Sequence, residues 1–278
     1  MKLFTINLLP KKTKYGFMPT VTAHLVDGNP EEREVRPAII VIPGGGYGYT
    51  SYREGERVAL FYNAAGFHTF ILDYCVAPHT HPQPIMDVAK AIEVIRENAE
   101  EWGVASDKIA VCGFSAGGHL AASISTLWND SKIFSSNQEK NRLHMPNATI
   151  LSYPVITSGE FAHRGSFENL TGNDIENELW RELSLETRVD KNTPPAFIWH
   201  TFADTCVPVE NSMLYANALR RNNIPFELHI YPDGPHGLSR ASDEIYWAVP
   251  QFTRKYSWMD SSVEWLCIQF GITSIENN

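Results

Sequence analysis

Ser115 stands in Gly113-Phe114-Ser115-Ala116-Gly117-Gly118, a serine flanked by glycines at the G-x-S-x-G spacing. A serine hydroxyl is too weak an acid to attack a carbonyl carbon unaided. It needs a histidine to take its proton and a carboxylate to hold that histidine in the correct tautomer. The spacing suits such a nucleophile because a sharp strand-to-helix turn lifts the side chain clear of the chain, where a Cβ at 113 or 117 would crowd the neighbouring strand and helix. The flanks agree: residues 108–112 read as a short, buried strand, and residues 116–127 as an Ala- and Leu-rich helix. The amides at that helix start favour negative charge developing beside Ser115.

The base is expected on a loop after a late strand, in the chain order serine, acid, histidine. His236 meets that condition in Asp233-Gly234-Pro235-His236-Gly237, a rigid turn directly after the last predicted strand. The other nine histidines lie in the elbow helix, within strands, or too early in the chain. Asp204, in Thr201-Phe202-Ala203-Asp204, follows the preceding strand and is the candidate acid. The plainer reading of Asp204 is a cap for the helix near Val209, and Asp233 is its rival, although a residue on the same tight turn points poorly at the far side of the imidazole. Donors for a tetrahedral oxyanion are expected from the amide of Ala116 and from Gly45 and Gly46 in Pro43-Gly44-Gly45-Gly46-Tyr47-Gly48-Tyr49. A phosphate cradle is the alternative for that loop, but neither Gly-Lys-Ser/Thr nor G-x-G-x-x-G before a helix is present. Tyr47, and beside it Tyr49 and Trp180, are candidates to stack on a substrate ring, or else simply pack the loop.

Positioning these groups requires alternating strands and helices. Strands are expected at residues 4–9 and 21–25, forming an antiparallel edge, then at 36–42, 67–74, 108–112, 148–153, 196–201 and 226–231. Helices are expected at 54–65, 84–102, 116–127 and 209–221, with residues 241–270 mostly helical around Pro250. This order implies right-handed crossovers and an α/β fold, with a mostly parallel central sheet and helices on both faces. One domain is expected over residues 1–278, with 154–192 a small polar insertion over the site.

A net charge of −9 gives no attraction to nucleic acid or to an anionic membrane, so neither is an expected partner. No run of eighteen apolar residues and no signal-peptide pattern appear, and four scattered cysteines suit reduced thiols, so a cytoplasmic protein is expected.

Taken together, Pro43-Gly44-Gly45-Gly46-Tyr47, Gly113 to Leu120, Asp204 with Val207-Pro208, and Gly234-Pro235-His236-Gly237 resemble the α/β-hydrolase superfamily over roughly residues 35–240. Within it, the chain is similar to acetyl xylan esterases and bifunctional acetyl/feruloyl esterases. It departs from the hormone-sensitive-lipase-like branch at Pro43, where that branch has histidine, and at Asp73-Tyr74-Cys75-Val76-Ala77-Pro78. The resemblance implies a serine carboxylesterase acting on short-acyl esters, an acetylated sugar among them, through an acyl-enzyme and with no cofactor or metal. Arylformamidase-like amide hydrolysis and a non-catalytic hydrolase-fold binding protein are the alternatives, and the oligomeric state is left open.

Overall fold

A computed structural model describes residues 1–28, 34–172, 178–241 and 256–272. Eight strands form a single sheet: β1 (Lys2–Asn7), β2 (Thr20–Leu25), β3 (Arg36–Ile42), β4 (His68–Asp73), β5 (Val104–Phe114), β6 (Ala148–Ser152), β7 (Ala196–Thr201) and β8 (Phe226–Tyr231). Their spatial order is β1-β2-β4-β3-β5-β6-β7-β8. The β1–β2 and β2–β4 pairs are antiparallel, and every pair from β4 to β8 is parallel. The expected antiparallel edge on a mostly parallel sheet is therefore present.

The helices are α1 (Glu56–Ala64), α2 (Gln83–Glu97), α3 (Ala99–Trp102), α4 (Ala116–Leu127), α5 (Gln138–Asn141), α6 (Arg164–Thr171), α7 (Glu178–Glu182), α8 (Glu210–Arg221) and α9 (Trp258–Phe270). Two apolar clusters fill the two faces of the sheet. One gathers Ile40, Ile42, Val111, Leu120 and Ile198 with the inward sides of α2, α4 and α8. The other gathers Ile39, Val41, Cys112, Ile150 and Trp199 with α1 and α9. Strands buried on both faces read as near-continuous apolar runs, which is why β3, β6 and β7 stand out in the sequence. Among the described residues, no helix is long and apolar enough to cross a membrane.

Two elements differ from expectation. The helix expected over 84–102 breaks at Asn98, whose φ of −102° and ψ of 13° leave the helical range, although its amide at 3.2 Å and its Nδ2 at 2.7 Å both donate to the carbonyl of Val94. Strand β5 is longer than residues 108–112, because Val104 also pairs with Arg36 before a register shift. The irregular Ala105-Ser106-Asp107 stretch hides that continuation. Of the helical reading for 241–270, the described part is α9, and residues 242–255 lie outside the described residues.

From β3 the chain crosses through α1 to β4 on one side, then through α2 to β5 on the other side of β3. The order of the sheet thus reverses between β3 and β5, and the loops leaving their carboxyl ends open there into a crevice. Those loops are the glycine loop and the serine turn. Close approach sets the turn: a Cβ on Gly117 would lie 2.2 Å from the carbonyl oxygen of Ile42, and one on Gly113 2.2 Å from that of Gly117. Gly117→Ala is expected to destabilise the fold by about 1–3 kcal/mol through overpacking, lowering Tm on the order of 5 °C. An unchanged melting curve by circular dichroism would contradict this packing.

Candidate active site

Ser115 occupies the hinge between β5 and α4 with φ 53° and ψ −118°, a conformation that a non-glycine residue keeps only when its surroundings over-determine it. They do so here. Its amide donates to the carbonyl of Ser152 at 3.0 Å, and its carbonyl accepts from His119 at 3.0 Å and Val155 at 3.1 Å. Its Oγ is thereby aimed at His236, whose Nε2 lies 2.8 Å away. On the other side of the ring, His236 Nδ1 lies 2.6 Å from Asp204 Oδ2. A carboxylate only accepts, so Nδ1 carries the proton and Nε2 is left to accept from the serine hydroxyl.

Asp204 is 5% exposed, and every oxygen has a donor. Oδ1 accepts from the amides of Cys206 and Val207, each at 2.9 Å, while His200 Nε2, which donates to Val207's carbonyl at 2.9 Å, lies 3.3 Å from Oδ2. Burial alone would push this carboxyl up, but the bonds from His200, His236 and the Val207 amide prevail and hold it well below the usual carboxylate range. The same residue therefore orders its own loop and faces the histidine. Asp233 is exposed, and its backbone carbonyl accepts from the Tyr256 hydroxyl at 2.6 Å. A further bond, from Thr201 Oγ1 to the carbonyl of Gly234 at 2.8 Å, fixes the turn that presents His236.

In the glycine loop, the amide of Gly44 is taken by Glu54 and that of Gly48 by the carbonyl of Gly45. Those of the partly exposed Gly45 and Gly46 have no acceptor among the described residues, nor has the amide of Ala116 at the start of α4. The loop lies against the serine, since a Cβ on Gly44 would be 3.0 Å from that of Ser115.

Tyr47 departs from the expected substrate-facing position. It is 1% exposed, with its hydroxyl 2.8 Å from His119 Nδ1 and its ring edge-on to Tyr74, so it packs beneath the loop. Trp180 is also buried, tilted against Phe167 with 5.1 Å between centroids, while Tyr49 is 64% exposed. The segment 154–192 also has an apolar inner side. Phe167, Leu170, Trp180, Leu183 and Leu185 all join the core, and their wide spacing among polar residues hides that face in the sequence. Of the polar residues expected there, 173–177 lie outside the described residues.

Sequence reasoning missed several neighbours of the triad. Asn169 of α6 donates to the carbonyl of Gly46 at 2.9 Å. His163, bonded through Nδ1 to Ser166 Oγ at 2.8 Å, is lowered in pKa first by burial and then by the field of His236, with Asp204 opposing. Glu54 and Tyr153 lie under the loop and under His236. None carries a local signature: each reaches the site only through a fold that spans tens of residues of sequence.

Sheet order, elbow and late histidine loop together define an α/β-hydrolase. Residues 27–219 match the BD-FAE family, and the chain belongs to it. It is 39% identical over 240 residues to endo-1,4-beta-xylanase B of Butyrivibrio fibrisolvens, covering 84% of this chain and 37% of that protein. It is 33% identical over 245 residues to an acetylxylan esterase of Xylanibacter ruminicola, covering 85% of this chain and 46% of that one. The chain thus spans less than half the length of these two curated relatives. Among solved structures, the acetyl ester-xyloside bifunctional hydrolase of Caldicellulosiruptor lactoaceticus is 36% identical with a TM-score of 0.83, and 97% of each chain is covered.

Because Asp204 is held below its ordinary range, its ionised form stabilises the folded state. That contribution is full above the unfolded carboxyl's value of about 4 and is lost as pH falls through the lowered folded value. Asp204→Asn is therefore expected to be less stable than wild type at pH 7, with the gap narrowing below pH about 4. Denaturant midpoints across that range check it, and a gap that widens in acid would contradict it.

Proposed function

We propose that this chain is a serine carboxylesterase that hydrolyses short-acyl esters through an acyl-enzyme and removes acetyl groups from a carbohydrate. The observation that carries the reading is the unbroken chain from Ser115 Oγ through His236 to Asp204, beside three amides with no acceptor among the described residues. In the first half-reaction His236 Nε2 takes the Ser115 proton as Oγ bonds to the ester carbonyl carbon. Charge passing to the carbonyl oxygen is met by the amides of Gly45, Gly46 and Ala116, and the imidazolium is held by Asp204. Collapse breaks the bond to the alcohol, which leaves with the proton from His236. Water then repeats the cycle, with His236 as its base, and releases the acid.

The short-acyl preference is supported by what closes the site. His163, Ser166 and Asn169 bring polar groups to the glycine loop, and the apolar side of the same segment is already packed in the core. A fatty tail would have to displace those contacts. For the alcohol, the relatives named as an acetylxylan esterase and an acetyl ester-xyloside bifunctional hydrolase point to sugars. Tyr49, Tyr52 and Phe202 are 64%, 72% and 71% exposed on the loops that carry the glycines and Asp204, and these, rather than Tyr47 or Trp180, offer ring faces for a sugar. The four free thiols support a reducing compartment, the cytoplasm.

Ser115→Ala should lower turnover by on the order of 10⁴ or more while leaving the fold intact. Asp204→Asn should cost about 10⁴, and Asp233→Asn far less. Near-normal turnover in the Ser115 variant would end the reading, and an Asp233 variant crippled in place of Asp204 would reassign the acid. Relative kcat/KM over p-nitrophenyl acetate, butyrate, octanoate and palmitate, with acetylated xylo-oligosaccharides and N-formylkynurenine alongside, should peak at acetate, with the sugar esters turned over and the formamide poor. A maximum at octanoate or beyond would refute the short-acyl claim, and faster formamide cleavage would make the protein an amide hydrolase.

A further inference from the structure

A carboxyl group outside the triad joins the two loops on either side of Ser115. Glu54 closes the 3-10 turn Tyr52–Glu54 ahead of α1 and is 4% exposed. Its Oε2 accepts from the amide of Gly44 at 2.8 Å, and its Oε1 accepts from the hydroxyl of Tyr153 at 2.7 Å. The Tyr153 oxygen in turn accepts from the amide of Ser239, three residues beyond His236, at 2.7 Å. Ser239 Oγ closes the circuit by donating to the carbonyl of Arg53 at 2.7 Å. Above it, the Tyr153 ring meets that of His236 edge-on, with 5.0 Å between centroids.

The circuit holds backbone that would not stay in place unaided. Tyr153 and Ser239 have φ of 37° and 49°, in the left-handed region that side chains disfavour. On the other arm, a Cβ at Gly44 would lie 2.7 Å from the carbonyl of Phe114 and 3.0 Å from Glu54 Oε2, so the loop, the carboxyl and the elbow are in mutual contact. Both carboxyl oxygens face donors, the arrangement that suits an ionised group. On balance burial still holds the Glu54 carboxyl above its ordinary range, although the bonds from Tyr153 and Gly44 and the field of His236 oppose it.

Resting on the esterase reading above, we propose that Glu54 is a positioning residue for ester cleavage. Through Gly44 it fixes the peptides that precede the Gly45 and Gly46 amides, and through Tyr153 and Ser239 it fixes the loop that presents His236. Oxyanion donors and general base are thereby kept at one spacing while charge moves between them. Misplacing such groups by about 1 Å is worth on the order of a hundredfold in rate, with little effect on ground-state binding.

The test compares Glu54→Gln, Tyr153→Phe and the double variant on p-nitrophenyl acetate, with rates expressed per active site titrated by a fluorophosphonate and folding followed by thermal melts. Each single variant is expected to lose about 10- to 100-fold in kcat with KM within about threefold. The double variant should lose little more than the worse single one, because both interrupt the same circuit. A kcat per titrated site within threefold of wild type, a loss expressed in KM, or losses that multiply would overturn the role of Glu54. If Glu54→Gln does not fold, Tyr153→Phe, which keeps the ring and removes only the relay, decides the matter by the same kcat criterion. Failure of wild type itself to cleave esters or to be labelled would instead refute the esterase reading.

Discussion

The structure depends on one close approach. At the end of β5 the backbone turns so sharply into α4 that Gly117 touches the carbonyls leaving β3, and Gly113 touches Gly117. Nothing larger fits, and the consequence is a serine held in a left-handed conformation at the centre of the crevice. Sheet order makes that crevice, since β3 and β5 are neighbours from which the chain departs in opposite directions. The glycine loop then lies beside Ser115 because it leaves the adjacent strand, and the Asp204 and His236 loops reach it from β7 and β8 along the same edge. Each group needs its own loop, and the parallel sheet delivers four loops to one side.

Much of this was legible in the sequence for a physical reason. Strands buried on both faces and helices with an apolar stripe write themselves as local patterns, and the serine elbow, glycine loop and Gly/Pro histidine turn each depend on residues close together in the chain. Ser115, Asp204 and His236 could be singled out because each sits at a strand end. Glu54 could not. An acidic residue ahead of a helix is ordinary, and its meaning comes from Gly44 and Tyr153 converging on it and, through Tyr153, from Ser239, 185 positions away in the chain. Tyr47 shows the opposite failure: an aromatic in a glycine loop suggests a substrate platform, whereas its hydroxyl is satisfied by His119 in the interior.

The segment between β6 and β7 also changes meaning once its packing is known. Its composition suggested a polar cover, yet Phe167 packs on His119 and Trp180 on Phe167, anchoring it to α4, the helix that follows Ser115. Asn169 reaches from it to the carbonyl of Gly46. The segment is therefore a brace for the glycine loop on one side, as Glu54 is on the other. A loop whose amides must point at a forming charge cannot also supply its own rigidity, because glycine offers no side chain to hold it.

The central claim is that Ser115 is a nucleophile activated by His236. It is tested most directly by reacting the protein with a fluorophosphonate and locating the adduct by peptide mass spectrometry, in wild type and in His236→Ala. The account predicts one adduct per chain, on Ser115, formed rapidly in wild type and slowed by orders of magnitude without the histidine. An adduct on another residue, or labelling of Ser115 at the same rate without His236, would contradict it.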